Sequence, residues 1–173
     1  NSSKPYQEND EVNPINYYGL TKSMGEEIIC SKLKNYFIFR IAWLYSMDGH
    51  SFLKTMIKKL KKSETFKVVN DQFGTPTSTN FVSDVVVDFL SKNELKAKPG
   101  LYHISPNGMC SWYEFANAIK HEMKEHNNKL PIILPISSEL YVTPAKRPKY
   151  SVLNNDKIKK QLNFKIEDWQ IYL

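Results

Sequence analysis

The sequence predicts an α/β protein, and two observations carry that prediction. Segments whose apolar residues recur at helical spacing alternate with short runs that are apolar at nearly every position. The longest of these runs, 36–45, has the pattern of a strand covered on both faces, as in a parallel sheet. The chain has 173 residues, 41% of them apolar, so it is long enough to bury a core. Alternation of this kind is typical of α/β folds.

The first half of the chain supplies two helices and one strand. After a polar loop over 1–14, a helix is predicted from Asn16, and its apolar positions are expected to face inward: Leu20, Met24, Ile28, Ile29 and Leu33. The strand 36–45 follows, and then a helix over 51–63. That second helix carries five lysines opposite its apolar face, at positions 54, 58, 59, 61 and 62. We interpret them as a solvated helix face rather than a phosphate-binding patch.

The second half continues the alternation. We predict a strand over 66–73, a turn over 74–77, a helix over 80–91 and a strand over 101–105. Ser111 and Glu114 have the spacing of a capping box, which predicts the start of another helix. An edge strand over 130–136, interrupted by two prolines, and a final helix over 154–162 precede a tail that contains Trp169.

Charge and cysteine content narrow the classes of function. The net charge of +6 comes almost wholly from lysine, because Arg40 and Arg147 are the only arginines, and we predict no nucleic-acid partner. The positive field would still favour an acidic ligand such as a sugar nucleotide. Neither the two cysteines, Cys30 and Cys110, nor the four histidines (50, 103, 121 and 126) have metal-ligand spacing, so no metal site is predicted.

No segment resembles a signal peptide, and no apolar run approaches the roughly 18 residues that a membrane helix needs. The sequence therefore predicts no membrane partner and a cytoplasmic location.

Tyr18 and Lys22 lie one turn apart on the first predicted helix. A tyrosine hydroxyl has an unperturbed pKa of about 10, and an ammonium on the same helix face favours its phenolate form. Reduction of a carbonyl needs a positioned acid that protonates the oxygen as hydride reaches the carbon. The pair is thus a candidate for the acid/base machinery of a nicotinamide-dependent oxidoreductase. Because such a pair also arises by chance in a chain rich in tyrosine and lysine, the surrounding residues must decide.

Those surrounding residues match a known family in five segments between residues 5 and 153. They read P-Y-Q-E-N-D with P-I-N-Y-Y-G-L-T-K-S-M-G-E, R-I-A-W-L-Y, D-Q-F-G-T-P-T, G-L-Y-H with G-M-C-S-W-Y-E-F-A, and R-P-K-Y-S-V-L. In this order the segments resemble the motifs of the dTDP-4-dehydrorhamnose reductases. The resemblance implies an extended short-chain dehydrogenase, with a Rossmann domain for NADPH or NADH and a smaller C-terminal domain over the sugar nucleotide.

On this resemblance the chain would be the C-terminal portion of such an enzyme. Residues 1–50 would form the end of the NAD(P)-binding Rossmann domain, and 51–173 mainly a small mixed α/β substrate-binding domain. The implied reaction is reduction of the 4-keto group of dTDP-4-dehydro-L-rhamnose to dTDP-L-rhamnose, a step in the biosynthesis of nucleotide sugars for cell-surface polysaccharides. Its partners would be the dTDP-sugar and the nicotinamide cofactor.

The resemblance also suggests site residues. By position, Tyr18 would be the proton donor, and Lys22 its partner at the nicotinamide ribose, so that both also count as cofactor-binding residues. Trp43 falls where the family places an aromatic residue against the substrate, and the alternative is a plain core tryptophan at a strand end. Arg147 would meet the nucleotide diphosphate, or else serve as a structural cap or ion-pair partner. Trp112 is expected only to pack within its helix.

The chain departs from the family in two respects. Its six glycines never approach the spacing of the G-x-G-x-x-G phosphate loop, and the family's catalytic Ser/Thr would lie upstream of Asn1. We therefore expect a piece of a longer protein, whose missing N-terminal half is its partner, and no reductase activity in the piece alone. Some family members dimerise through a metal bound just after the P-T turn. Residues 78–81 read S-T-N-F here, so no such metal is expected, and homodimerisation stays open.

Two rival hypotheses share the fold. One is a non-catalytic regulatory subunit resembling the beta subunit of methionine adenosyltransferase, which would change a partner's activity without consuming NAD(P)H. The other is a nucleotide-sugar epimerase or dehydratase, which uses the same Tyr/Lys pair but returns its cofactor unchanged.

Overall fold

The computed structural model describes residues 4–62, 64–93, 98–124, 130–141 and 143–173. The helices in this part are α1 (Tyr17–Lys32), α2 (Phe52–Leu60), α3 (Thr79–Asn93), α4 (Trp112–Lys124) and α5 (Asp156–Lys159), followed by a 3₁₀ turn, Trp169–Tyr172. The strands are β1 (Phe37–Ile41), β2 (Leu44–Tyr45), β3 (Phe66–Val69), β4 (Phe73–Gly74), β5 (Thr77–Ser78), β6 (Gly100–Ile104), β7 (Cys110–Ser111) and β8 (Ile133–Ile136). Strands and helices alternate as predicted, and the α/β class is confirmed.

The strands pair in twos, and three of the four pairs are parallel. β1 runs parallel to β6, with Arg40 opposite His103, and β3 runs parallel to β8. The short β2 is parallel to β5, while β4 is antiparallel to β7. Parallel neighbours require helical crossovers, which α2, α3 and α4 supply here.

Two apolar clusters form the core. The first packs α2 and α4 onto β3 and β8, and its largest fully buried side chains are Leu60, Phe115 and Ile119. The second packs α3 and α5 onto β1 and β6, and contains Phe81, Phe89, Tyr102, Ile104 and Ile158, among others. Since β1 pairs with β6, contacts cross the boundary proposed at residue 50, and the division into 1–50 and 51–173 stays a prediction.

The predicted strand 36–45 is wrong in one respect, because it is interrupted at Ala42–Trp43. Trp43 has φ +48°, in the left-handed region, so the chain turns between β1 and β2 and changes from one strand pair to another. Apolar periodicity cannot reveal this break, because both pieces are apolar. The predicted strand 66–73 divides in the same way into β3 and β4, and only Asp156–Lys159 of the predicted helix 154–162 forms α5.

The inward face predicted for the first helix is also wrong for this chain. No residue of α1 is buried. The predicted face consists of four α1 residues and the C-cap residue, all 38–53% exposed: Leu20, Met24, Ile28, Ile29 and Leu33. The spacing correctly marks an apolar face, but periodicity does not say what covers it. No described residue buries that face.

The predicted start of the helix after Ser111 agrees with the structure. The capping box is confirmed, since the Ser111 backbone N–H donates to Glu114 Oε2 at 2.6 Å and the Glu114 N–H to Ser111 Oγ at 3.2 Å. The predicted end of the second helix at Ser63, and His126, lie outside the described residues. Across the described segments, no helix is both long and apolar enough to span a bilayer.

Candidate active site

The exposed start of α1 carries Tyr18 and Lys22. The helix begins at Asn16, an N-cap whose Oδ1 accepts a hydrogen bond from the Gly19 N–H at 2.8 Å. Tyr18 follows in the first turn with 71% of its surface exposed, and the Lys22 Nζ lies 5.5 Å from its ring centroid. The structure thus brings an ammonium group beside an accessible phenol, as the spacing predicts.

The Asn16 side chain also reaches a distant segment. Its Nδ2 donates to the carbonyl oxygen of Lys146 at 2.9 Å, a bond that spans 130 residues of sequence. One amide side chain therefore caps the helix of Tyr18 and holds the residue next to Arg147. Arg147 itself is exposed and makes no ion pair with any residue that the structure describes. Its predicted role is untested.

A second polar contact fixes α1 to the sheet, one turn beyond Lys22. Arg40 of β1 donates from Nε to Glu26 Oε1 at 2.8 Å and from a terminal nitrogen to Glu26 Oε2 at 2.5 Å. The two side chains are only 25% and 21% exposed, and the bonds to Glu26 raise the pKa of the Arg40 guanidinium. Because α1 buries no residue of its own, polar contacts rather than core packing hold it in place. The contacts at Asn16 and Glu26 lie on either side of Tyr18 and Lys22 and so orient both residues.

Trp43 lies just past the carboxyl end of β1, the edge at which ligands bind in open α/β sheets. It is half-buried, and its carbonyl oxygen accepts a hydrogen bond from the Thr77 N–H at 3.1 Å. Its ring is parallel to that of Trp112, with an interplanar angle of 6° and centroids 3.5 Å apart. An aromatic residue with positive φ is an outlier, and such strain concentrates at functional sites.

Gly74 lies against the same indole. A Cβ added at Gly74 would come within 3.0 Å of three Trp43 ring atoms, Cε2, Nε1 and Cδ2. The turn predicted over 74–77 is a short link between strands, because Gly74 ends β4 and Thr77 begins β5, and the contact of Gly74 with Trp43 was not predicted. Trp112, whose helical spacing predicts only packing within its helix, stacks on Trp43 in the structure. In the described part of the chain, no ring contact or hydrogen bond joins Trp43 to Tyr18 or Arg147.

A buried histidine lies beneath the loop that precedes α1. His103 of β6 is fully buried, and its Nδ1 donates to the Asn154 carbonyl oxygen at 3.1 Å. Its backbone N–H donates to Glu8 Oε1 at 3.1 Å. Burial is the main cause that lowers the pKa of this imidazole, partly offset by the Glu8 carboxylate. No group of three or more potential metal ligands occurs in the segments that the structure describes.

With this geometry in hand, comparison with known proteins identifies the family. The family model described as the RmlD substrate binding domain matches residues 1–173, the whole chain. The chain belongs to the RmlD substrate-binding domain family.

Named relatives of this RmlD substrate-binding domain are similar over most of its length. A dTDP-4-dehydrorhamnose reductase from Burkholderia thailandensis is 34% identical over 177 residues, covering 97% of this chain and 59% of that protein. The spore coat polysaccharide biosynthesis protein SpsK of Bacillus subtilis is 38% identical over 153 residues, covering 88% of this chain and 51% of that protein. The chain thus spans between half and three-fifths of the length of these relatives.

Solved structures give the same result. A dTDP-4-dehydrorhamnose reductase from Clostridium acetobutylicum superimposes with a TM-score of 0.86 at 38% identity, covering 98% of this chain and 57% of that one. The Bacillus anthracis reductase in complex with NADP gives 0.84 at 35% identity, with 96% and 57% covered. A UDP-N-acetylglucosamine 4-epimerase from Bacillus cereus, at 19% identity and a TM-score of 0.70, shares the fold alone.

Proposed function

We propose that this RmlD substrate-binding domain is the C-terminal part of a reductase that converts dTDP-4-dehydro-L-rhamnose to dTDP-L-rhamnose with NADPH or NADH. The observation that carries the proposal is the Lys22 ammonium beside the exposed Tyr18 phenol at the start of α1. Relatives named dTDP-4-dehydrorhamnose reductase at 32–34% identity, and a neighbour solved with NADP, support this chemistry.

The exposed Tyr18 phenol and the Lys22 ammonium beside it fit the nicotinamide and ribose end of such a cofactor. When bound, the cofactor would supply hydride to the carbonyl carbon at C4 of the sugar. Tyr18 would donate its hydroxyl proton to the carbonyl oxygen, so that the carbon gains the hydride and the oxygen gains the proton. The Lys22 ammonium would stabilise the phenolate that remains and donate hydrogen bonds to the ribose hydroxyls. Its freedom to do so is supported by the lack of a carboxylate partner for Lys22 in the described ranges.

Trp43 and Arg147 would bind the dTDP-sugar. Trp43 is proposed to contact the sugar from the carboxyl end of β1. Arg147 is proposed to bind the diphosphate, for which its exposed guanidinium is suited as a bidentate donor. The bond from Asn16 Nδ2 to Lys146 supports this assignment, because it keeps the Arg147 segment beside the helix that carries Tyr18.

An N-terminal Rossmann half of the same polypeptide would cover the apolar face of α1. Five large apolar residues on this helix and its C-cap are 38–53% exposed, an unusual apolar patch for a surface helix: Leu20, Met24, Ile28, Ile29 and Leu33. The reductases that the chain matches are also longer, since it spans 57–59% of those compared above. On this proposal the 173 residues alone bind no cofactor phosphate and are inactive.

The test is oxidation of NADPH by the longer protein that contains this chain, with dTDP-4-dehydro-L-rhamnose as substrate. Tyr18→Phe is expected to lower kcat at least about 100-fold, because the proton donor is lost. Tyr17→Phe is the matched control, since Tyr17 is also highly exposed (79%, against 71% for Tyr18) but lacks the spacing to Lys22, and it should retain wild-type turnover.

Three outcomes would contradict the proposal in different ways. Activity of the isolated 173 residues would contradict the need for a second half. Turnover of the sugar without net cofactor consumption would favour the epimerase or dehydratase. A folded longer protein that oxidises no NADPH but changes a partner enzyme's activity would favour the regulatory subunit.

A further inference from the structure

We propose that Gly74 and Trp112 are positioning residues that hold the Trp43 indole between them, so that Trp43 meets the sugar nucleotide with its ring edge rather than a ring face. This inference rests on the proposed function, which makes Trp43 a substrate contact. It concerns how the contact is made and which other residues determine it.

The two faces of the indole are both occupied. Planes inclined by 6° with centroids 3.5 Å apart leave almost no lateral offset, so the Trp112 ring covers one face of Trp43. The Gly74 Cβ position lies within 3.0 Å of Cε2, a ring-fusion carbon bonded to three atoms in the ring plane. Such a position can only lie above or below that plane. Because Trp112 fills one side, Gly74 must lie on the other.

Glycine at 74 is required by this contact and not by the backbone. Gly74 is absent from the glycines with positive φ, which are Gly49, Gly100 and Gly108. An alanine there would suit the main chain, and the obstacle to it is the Trp43 ring. β4 and β7 bring the two covering residues together, since Gly74 pairs with Cys110, two residues before Trp112.

The ring edge is what remains for a ligand. Trp43 Nε1 has no hydrogen-bond acceptor among the described residues. It is not one of the fully buried polar atoms that lack a partner, since His103 Nε2 is the one such atom in the described chain, so the indole N–H is not completely closed off from solvent. The indole N–H is a donor only, and sugar hydroxyl, carbonyl and diphosphate oxygens are its natural acceptors. The positive φ of Trp43 and the bond from Thr77 N–H to its carbonyl fix the backbone from which this edge projects.

The test is a set of variants in the longer protein, measured by the dissociation constant for dTDP-L-rhamnose and by KM and kcat for the keto sugar. Gly74→Ala should weaken affinity about tenfold with little change in kcat, because it displaces a binding contact and not the proton donor. In a Trp43→Leu background the same Gly74→Ala change should alter affinity less than about twofold, since the indole it acts through is gone. Trp112→Phe provides an independent second variant.

Two further measurements separate positioning from a general structural role. Circular dichroism should show a coupled-indole signal in the wild type that Gly74→Ala and Trp112→Phe both weaken. Benzothienylalanine at position 43 keeps the bicyclic shape but replaces the ring N–H with a sulfur atom that cannot donate, and it should weaken affinity by a similar factor of about ten.

The outcomes distinguish this inference from the proposed function. If the wild type binds dTDP-L-rhamnose but turns over no keto sugar, the proposed reductase activity is contradicted. The affinities of the variants would still test the positioning role of Gly74 and Trp112. Equal effects of Gly74→Ala with and without Trp43 would overturn the positioning role. Full affinity of the benzothienyl variant would overturn edge donation, and no nucleotide-sugar binding by the wild type would overturn both proposals.

Discussion

Replacement of Asn16 tests whether one side chain links the helix of Tyr18 to the segment of Arg147. Asn16→Ala removes the N-cap of α1, worth about 1 kcal/mol, and an exposed hydrogen bond to Lys146, worth about 0.5–1 kcal/mol. We therefore expect a loss of about 1.5–2 kcal/mol. Asn16→Asp keeps a carboxylate oxygen for the cap and gains about 0.3–1 kcal/mol from the helix dipole, but it cannot donate to the Lys146 carbonyl. Its net cost should stay below about 1 kcal/mol.

The two variants should differ more sharply in binding than in stability. Asn16→Asp keeps the start of α1 but releases the Arg147 segment, so KM for the dTDP-sugar should rise while kcat changes little. Urea unfolding and steady-state kinetics of the longer protein measure both effects. Ser51→Ala is a matched control, because Ser51 Oγ also caps a helix, accepting from the Lys54 N–H at 3.2 Å, and also donates to a carbonyl oxygen, that of Ser46, at 2.9 Å. Its removal should therefore cost about 1.5–2 kcal/mol without altering KM. A KM unchanged in Asn16→Asp would refute the link between Asn16 and substrate binding.

Three further predictions concern pairing, protonation and thiol accessibility. Glu26→Gln should lower the free energy of unfolding, measured in urea, by about 2 kcal/mol, because Arg40 is left three-quarters buried without its carboxylate. This loss lies between those typical of surface and of buried ion pairs, and a loss under about 0.5 kcal/mol would show that the pair behaves as a surface ion pair. Burial lowers the pKa of His103 below its unfolded value of about 6.5. The contribution of this neutral histidine to the free energy of unfolding should therefore be complete above about pH 6.5 and be lost as the pH falls toward the lowered pKa. His103→Gln should remove this pH dependence of the free energy of unfolding. In the 173-residue chain, the exposed Cys30 should react with a thiol reagent at once. Cys110, whose pKa is raised by burial, should react only after denaturation.

The sequence was sufficient for the fold class and for the local pairing of Tyr18 with Lys22. Helical spacing fixes which residues share a face, and an ammonium four positions after a phenol must lie near it once the helix forms. The capping box was predictable for the same reason, since its partners are three residues apart. Each of these features depends on neighbours in the chain.

Long-range features escaped prediction because nothing local encodes them. The bond from Asn16 to Lys146 spans 130 residues, and the contact of Gly74 with Trp43 depends on how β4 and β7 pair. The break in the strand 36–45 arises from one backbone angle at Trp43, which hydrophobicity does not report. The exposed face of α1 escaped for another reason: its spacing is that of a buried face, but the described residues do not cover it.

On the proposed function, the way α1 is attached has a consequence for catalysis. A helix held by packing is positioned by many small contacts, whereas α1 is held in the described chain by hydrogen bonds at Asn16 and Glu26, on either side of Tyr18 and Lys22. Two directional contacts define the axis and rotation of a helix even before its apolar face is covered. If an N-terminal half docks onto that face, it meets a helix in which the orientation of Tyr18 is already set by these two contacts. If Tyr18 is the proposed proton donor, placing it to within about 0.5 Å would depend on these polar contacts as much as on docking.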